Sequence, residues 1–434
     1  MKKIEEKNNF WQKYGYRIAS YAAVLLLGLI LCVFMVKTVS DSKITVVAME
    51  EPIDTIPELH LALNGTDLAT VNAGLKSTKY PGNDLYIKNG EEVVYDFSGN
   101  VELKGRGNST WSQIKKPYQI KFDKKTDLFN LGASKKWVLL ADFLDPTHLR
   151  NDISNYLARM LDMEFTRDGR FVNLYVDEEY IGFYYLTHKV EIGSATVNLE
   201  NNLGILLEME NLHDDPEDEI AFVSLGNQNT FIISETVSED EILIDTAVKL
   251  FERDYNLFEK AVLEQDYEKI TELVDVESFA KYFLISEFSI NPDAFASSFY
   301  FYKDGPDDKI HAGPIWDFDL AFSNQKWGYE NEESCSPTAS LSSIKSYYGR
   351  SSIIQDLLLI PDFATLVGAI FEEKMSDHLE DLLKYFDSRV ALIHDVATKD
   401  DEKWGTGDFD DEATYLRNWL VERYVYFKET YGAH

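Results

Sequence analysis

Cysteine is nearly absent: the 434-residue chain has only Cys32 and Cys335. One lies inside an apolar stretch and the other in a polar loop, so neither a disulfide framework nor a cysteine metal site can be built from them. Positive charge is scarce as well, with 42 Lys and Arg against 75 Asp and Glu, a formal net charge of −33. A surface this acidic repels phosphate backbones, and no basic run or stripe offsets it, which excludes nucleic acid as a natural partner. Histidine is sparse: His148, His188 and His311 follow no HExxH or paired spacing, so zinc has no ligand set. There is no GxSxG elbow to supply a nucleophile, and no internal repeat. Hydrophobic residues nonetheless make up 45% of the chain and aromatics 13%. That is enough for a sizeable core and too much for wholesale disorder.

Long hydrophobic runs are rare too, with one exception. Ile18 to Val36, "IASYAAVLLLGLILCVFMV", carries no charge and is long enough to cross the ~30 Å hydrocarbon core as a helix. Lys2, Lys3, Lys7, Lys13 and Arg17 precede it against only Glu5 and Glu6. The positive-inside rule then predicts a cytoplasmic N-terminus (1–17), a transmembrane anchor (18–36), a stalk (37–55) and a main domain outside the plasma membrane. A cleaved signal peptide competes, with "VVA" at Val46 to Ala48 as its cleavage site. That site lies far beyond the apolar run, and the run is long for a signal core.

Beyond the stalk, residues 56–210 read as a β-rich lobe. "DLYIKNG", "EEVVYDFSG", "NVELKGRGNSTW" and "KKPYQIKFD" alternate apolar and polar residues between Gly, Asn and Asp breaks. "DPTHLRNDISNYLARMLDM" predicts a helix, with Asp145 or Thr147 as its N-cap. "FVNLYVDEEYIGFYYLTHKVEIG" predicts a hairpin turning at Asp177 to Glu179, and "GILLEMEN" adds a buried strand. Residues 211–434 read as a mostly helical lobe with an embedded hairpin. "HDDPEDE" (213–219) is a solvated acidic loop. Trp111, Trp137 and Trp316 read as core.

The chemistry concentrates in two places. In "GPIWDFDLAF", Asp317 and Asp319 flank Phe318 inside an otherwise apolar run, where charge is costly unless paired. Upstream, Phe299 to Lys303 and Lys309 to Ile315 predict the strands of a hairpin around "DGPDD". Asp293 before it and Asp317 after it then lie at the same open end. Any one of these acids is an ordinary turn residue. Three together repel unless a cation or an acid–base task occupies them, and a hard cation such as Mg²⁺ takes a few carboxylates while leaving room for phosphate. The second place is "GRGNSTWSQIKKPYQIKFD". Gly105 and Gly107 permit a backbone whose N–H groups face an anion, with Asn108, Ser109 and Thr110 as further donors. Lys121 follows on the more polar face of a strand whose Tyr118, Ile120 and Phe122 face the other way.

These segments, with "LGASKKWVLLADFLDPTHLRNDISNYLAR", "NPDAFASSFYFYKD", "AGPIWDFD" and the closing "YLRNWLVERYVYF", resemble the CotH kinases, the spore coat protein H type of atypical protein kinase. The resemblance runs in order from about Leu85 to Tyr431. It implies an α+β, bilobal kinase-like fold behind the anchor, ATP with Mg²⁺ or Mn²⁺ as cofactors, and transfer of phosphate to Ser or Thr of envelope or surface proteins. By motif, Lys121 would hold the nucleotide phosphates, with Arg106, Asn108 and Ser109 of the glycine loop beside them. Asp293 would be catalytic, and Asp317 and then Asp319 would bind metal. Ser298 stands where an Asn often helps hold a second metal, and its hydroxyl can still ligate. The acidic partner of Lys121 is left open among Glu164, Asp152 and Glu210. Transfer of AMP, a catalytically silent binding scaffold, and a metal enzyme using another donor are the competing readings.

Overall fold

The structure, a computed structural model, describes residues 55–211, 220–324, 335–341 and 353–432. Among them no helix is long and apolar enough to cross a membrane. The expected anchor, and the plasma-membrane location with an extracytoplasmic domain drawn from it, are corrected accordingly: the described fold includes no such helix. The stretch Ile18–Val36 on which both rested lies outside the described residues, as does the acidic loop 213–219.

The β-rich part is a closed barrel. Its strands are β1 (Glu58–Ala62), β2 (Tyr80–Asn89), β3 (Glu92–Gly105), β4 (Tyr118–Asp127), β5 (Ala133–Leu140), β6 (Gly169–Val176) and β7 (Glu179–His188), in the order β1-β2-β3-β4-β5-β7-β6. A parallel β1–β6 pairing closes the ring and leaves no open edge. Alternation explains its inside: Tyr118, Ile120 and Phe122 of β4 are buried with Trp137 and Leu139 of β5 in one apolar cluster. The β6–β7 turn forms where expected, because Asp177 and Glu178 accept positive φ (49° and 66°), the geometry of a tight hairpin turn. Helix α1 (Leu68–Ala73) sits between β1 and β2.

The second sheet corrects the bilobal expectation. Its order is β12-β11-β8-β10-β9, built from β8 (Gly204–Met209), β9 (Ile220–Val223), β10 (Thr230–Thr236), β11 (Phe299–Asp304) and β12 (His311–Ala312). β8, which "GILLEMEN" assigned to the β-rich lobe, instead pairs with β10 and β11. The helices are α2 (Arg150–Met160), α3 (Glu241–Glu264), α4 (Tyr267–Leu273), α5 (Val276–Ser289), α6 (Ile353–Leu357), α7 (Pro361–Lys374), α8 (Leu379–Trp404) and α9 (Phe409–Tyr431). The fold is therefore α+β, with a barrel and a helix-packed second sheet. The formal N-cap of α2 is Leu149, without a side-chain cap. Asp145 still serves the helix start, because its Oδ2 accepts from Arg150 N at 2.9 Å.

A buried ion pair joins the end of α8 to the barrel. Lys115 Nζ donates to Asp400 Oδ2 and to the Phe183 carbonyl, both at 2.6 Å, while Asp400 Oδ1 accepts from Phe183 N at 2.7 Å. Both side chains are fully buried. Lys115→Met leaves the Asp400 carboxylate unpaired and should cost about 3–5 kcal/mol. In urea unfolding, the Lys115→Met, Asp400→Leu double variant should lose less than the sum of the single variants.

Candidate active site

The acids stand on the loop that follows β12. Asp317 has φ 67°, a left-handed conformation that a non-glycine residue holds only where its surroundings enforce it. The enforcement comes from α2 and from the loop after α5. Phe318 N donates to Asn151 Oδ1 at 3.0 Å, and Asn291 Nδ2 donates to the Asp317 carbonyl at 3.4 Å. Ser298 Oγ donates to Asp317 Oδ2 at 3.2 Å. Arg150 Nε donates to the Ala321 carbonyl at 2.9 Å, and Asn324 Nδ2 to that of Asp319 at 2.8 Å. The β11–β12 hairpin thus returns the chain to the segment before it. Asp293, held by a bond from its N to Asn291 Oδ1 at 3.2 Å, lies at the same end as Asp317.

Asp319 is the electrostatic centre. It is buried, and its pKa is driven well above the usual carboxylate range by desolvation, then by the charges of Asp317, Asp142, Asp145 and Asp293. The pKa of Asp317 is also raised by desolvation, against the opposing pull of Arg106 and the Ser298 bond. Such an accumulation of negative potential suits a cation. Among the described residues no three His, Cys, Asp or Glu side chains stand together as a complete metal cage. Mg²⁺ needs no such cage, because it binds through one or two carboxylates together with water and phosphate. Asp317, Asp319 and the Ser298 hydroxyl fit that donor set.

The other predicted residues divide. Arg106 reaches this site, its guanidinium 4.9 Å from the Trp316 ring centroid. Asn108 and Ser109 are exposed, and Asn108 Oδ1 is taken by Lys76 Nζ. Lys121 lies on the outward face of β4 directly across from Lys136 of β5. It is Lys136, not Lys121, that has acidic partners, Glu191 at 2.9 Å and Glu235 at 3.2 Å. The three acids left open for Lys121 are engaged elsewhere: Asp152 accepts from Tyr185, Tyr385 and Arg389, Glu164 from Tyr302, and Glu210 from Ser297.

Sequence reasoning missed Asn151, Lys136 and Arg167. The last packs 4.2 Å from the Trp316 centroid. Trp316 is core as expected, yet it is also the platform on which two arginines rest.

An acid before a hairpin, acids after it and Arg106 near them bring charges of both signs to one place. The family model described as CotH kinase protein matches residues 103–427, and the chain belongs to that family. No curated protein gives a match.

Asp142 provides a test of this field. Burial raises its pKa to about 6, with Asp145 adding to the rise and His148 opposing it. A carboxyl whose pKa is raised in the fold contributes stability that is complete below its unfolded value near 4 and lost as pH rises through about 6. Asp142→Asn keeps an acceptor for Asn151 and tolerates the local φ of 48°. In chelator, it should therefore gain on the order of 2 kcal/mol over the native protein on moving from pH 4 to pH 7, measured by denaturant midpoints.

Proposed function

We propose that this chain is a CotH-type protein kinase that transfers phosphate from ATP to Ser or Thr of protein substrates with Mg²⁺ or Mn²⁺. The observation that carries the reading is the buried Asp319 carboxylate among Asp317, Asp142, Asp145 and Asp293, a field that a divalent cation would neutralise. When bound, that cation supplies charge neutralisation on the transferring phosphates.

The chain's own residues do the positioning. Ser298 and Asn291 fix Asp317 from one side and Asn151 fixes its loop from the other. Asp293 has the role of accepting the proton of the acceptor hydroxyl on a carboxylate oxygen, which orients that oxygen for attack. The Lys121 side chain makes no hydrogen bond or ion pair with the described residues and carries the family-implied phosphate role only by motif.

The decisive experiment follows label from ATP, carried at either the α or the γ phosphate, into the protein itself and a Ser-rich acceptor. Transfer of γ label that falls at least about a hundredfold in Asp293→Ala is expected. Transfer of α label would mean AMP transfer instead. No transfer, together with ATP binding indifferent to Mg²⁺ or Mn²⁺, would leave a silent scaffold. In Asp317→Ala, divalent-dependent nucleotide binding should disappear from calorimetric titrations, and unchanged metal dependence would remove Asp317 from the metal role.

A further inference from the structure

Trp316 carries two guanidinium groups, Arg106 at 4.9 Å and Arg167 at 4.2 Å from its ring centroid. Stacking on an indole holds a guanidinium by its face and leaves its N–H edges pointing elsewhere. The two are unlike in how they are held. Arg167 is 5% exposed, with Nη1 donating to the His188 carbonyl at 3.2 Å and Nη2 to that of Ile315. Its Nε is buried without any acceptor. Arg106 is half-buried and makes no hydrogen bond or ion pair with any described residue. Asp317 and Glu208 act on it from beyond contact distance.

Two cations so close repel each other. Burial depresses the pKa of Arg167, and the charge of Arg106 adds to the depression, yet a guanidinium stays charged in proteins. Unspent cationic donors held at a cleft are what an oxyanion requires. A small adjoining cavity is lined by Arg167, Asn151, Asn155, Thr187 and Asp317 among apolar and aromatic side chains, with Arg106 outside its lining. Lys121, in contrast, stands on the outward face of β4 across from Lys136.

We propose that Arg106 and Arg167, stacked on Trp316, form a two-guanidinium clamp for a phosphoryl oxyanion bound beside Asp317, with Arg167 as a phosphate-positioning residue in the role expected of Lys121. The proposal rests on the kinase reading only for the source of the phosphoryl group. That source is the terminal phosphates of a nucleotide or a free polyphosphate, and the chemistry of capture is the same. The Trp316 ring holds both guanidinium groups, and the captured oxygens would lie beside Asp317, where a divalent cation held by Asp317 and Asp319 would neutralise the opposed negative charges.

The test is calorimetric titration of the full chain with ATP, AMP and inorganic pyrophosphate in Mg²⁺. Arg106→Gln and Arg167→Gln should each weaken ATP and pyrophosphate by about tenfold or more, while AMP changes less than about threefold. Arg106→Gln carries the result even if Arg167→Gln lowers the melting temperature through loss of its carbonyl bonds, because Arg106 makes no bond to the described protein. Arg167→Lys, which keeps the charge but not the fork, should recover only part of the loss. Equal loss for AMP, or ATP and pyrophosphate binding untouched by Arg106→Gln, would overturn the clamp. Failure of the native protein to bind any of the three would do the same. ATP binding indifferent to both arginines would sink the clamp and leave the kinase reading standing. Arginine-dependent capture of pyrophosphate without ATP binding would keep the clamp and sink the nucleotide reading.

Discussion

Arg150 is the side chain on which the candidate site depends. It is fully buried at the first turn of α2. Its Nε reaches the Ala321 carbonyl, and its Nη1 bonds Asp145 and Thr147. A buried charge survives only if it is paired and hydrogen-bonded, so the guanidinium, the Asp145 carboxylate and the Ala321 carbonyl stand or fall together. Asn151, the next residue, holds Phe318 N, and Asn324 spans from the Leu144 carbonyl to that of Asp319. The acid-bearing segment is therefore fastened to the start of α2 by two contacts and to the segment leading into it by a third. Positive φ at Asp317, Phe322 and Ser323 is affordable there because those contacts over-determine the backbone.

The same fastening sets the electrostatics. Asp142 and Asp145 come with the segment that leads into α2, and Asp317 and Asp319 with the loop held against it. Joining the two therefore concentrates like charge whether or not a ligand is present. Fastening explains the positions of these acids, but it does not neutralise them. Arg150 compensates Asp145, and Arg106 partly compensates Asp317. Asp319 has only further acids among its principal neighbours. Stability alone would favour an apolar residue at such a place, so packing does not account for the cluster.

How much of this the sequence disclosed follows from the range of each interaction. The β6–β7 turn and the helix at Arg150–Met160 depend on contacts local in sequence, and pattern reasoning reached them. Barrel closure depends on β1 lying beside β6, and alternation shows a strand's buried face without naming its partner. The same limit hid β8, whose near-continuous burial suits a sheet interior in either lobe. Arg167 was hidden for another reason. The glycine loop pointed to Arg106 by resemblance, but only the three-dimensional position of Trp316 makes Arg167 its neighbour. Lys121 was placed correctly on the outward face of β4, but the face alone could not show that Lys136, opposite it, takes the carboxylates.

Trp316 also explains how barrel and second sheet meet. It clusters with Val138 of β5, Val190, Leu206 of β8 and Tyr300 of β11, so the outward face of the barrel at β5 is dry where it meets the second sheet. Going outward from that dry patch, the β4–β5 rungs pass from Gln119 opposite Val138 to Lys121 opposite Lys136, from apolar contact to cationic. Dispersion and apolar burial fix the indole, and the fixed indole then holds two guanidinium groups beside Asp317. Packing and charge are in this way one device: the residue that seals the sheet-to-barrel junction is also the one that orients the cations facing the acids. Ser298 completes the arrangement from the other side. Its hydroxyl donates to Asp317 Oδ2, so this oxygen is oriented by a short side chain held at φ 52°. An Asn there would extend farther toward the loop, whereas the Ser298 hydroxyl donates directly to the carboxylate it orients.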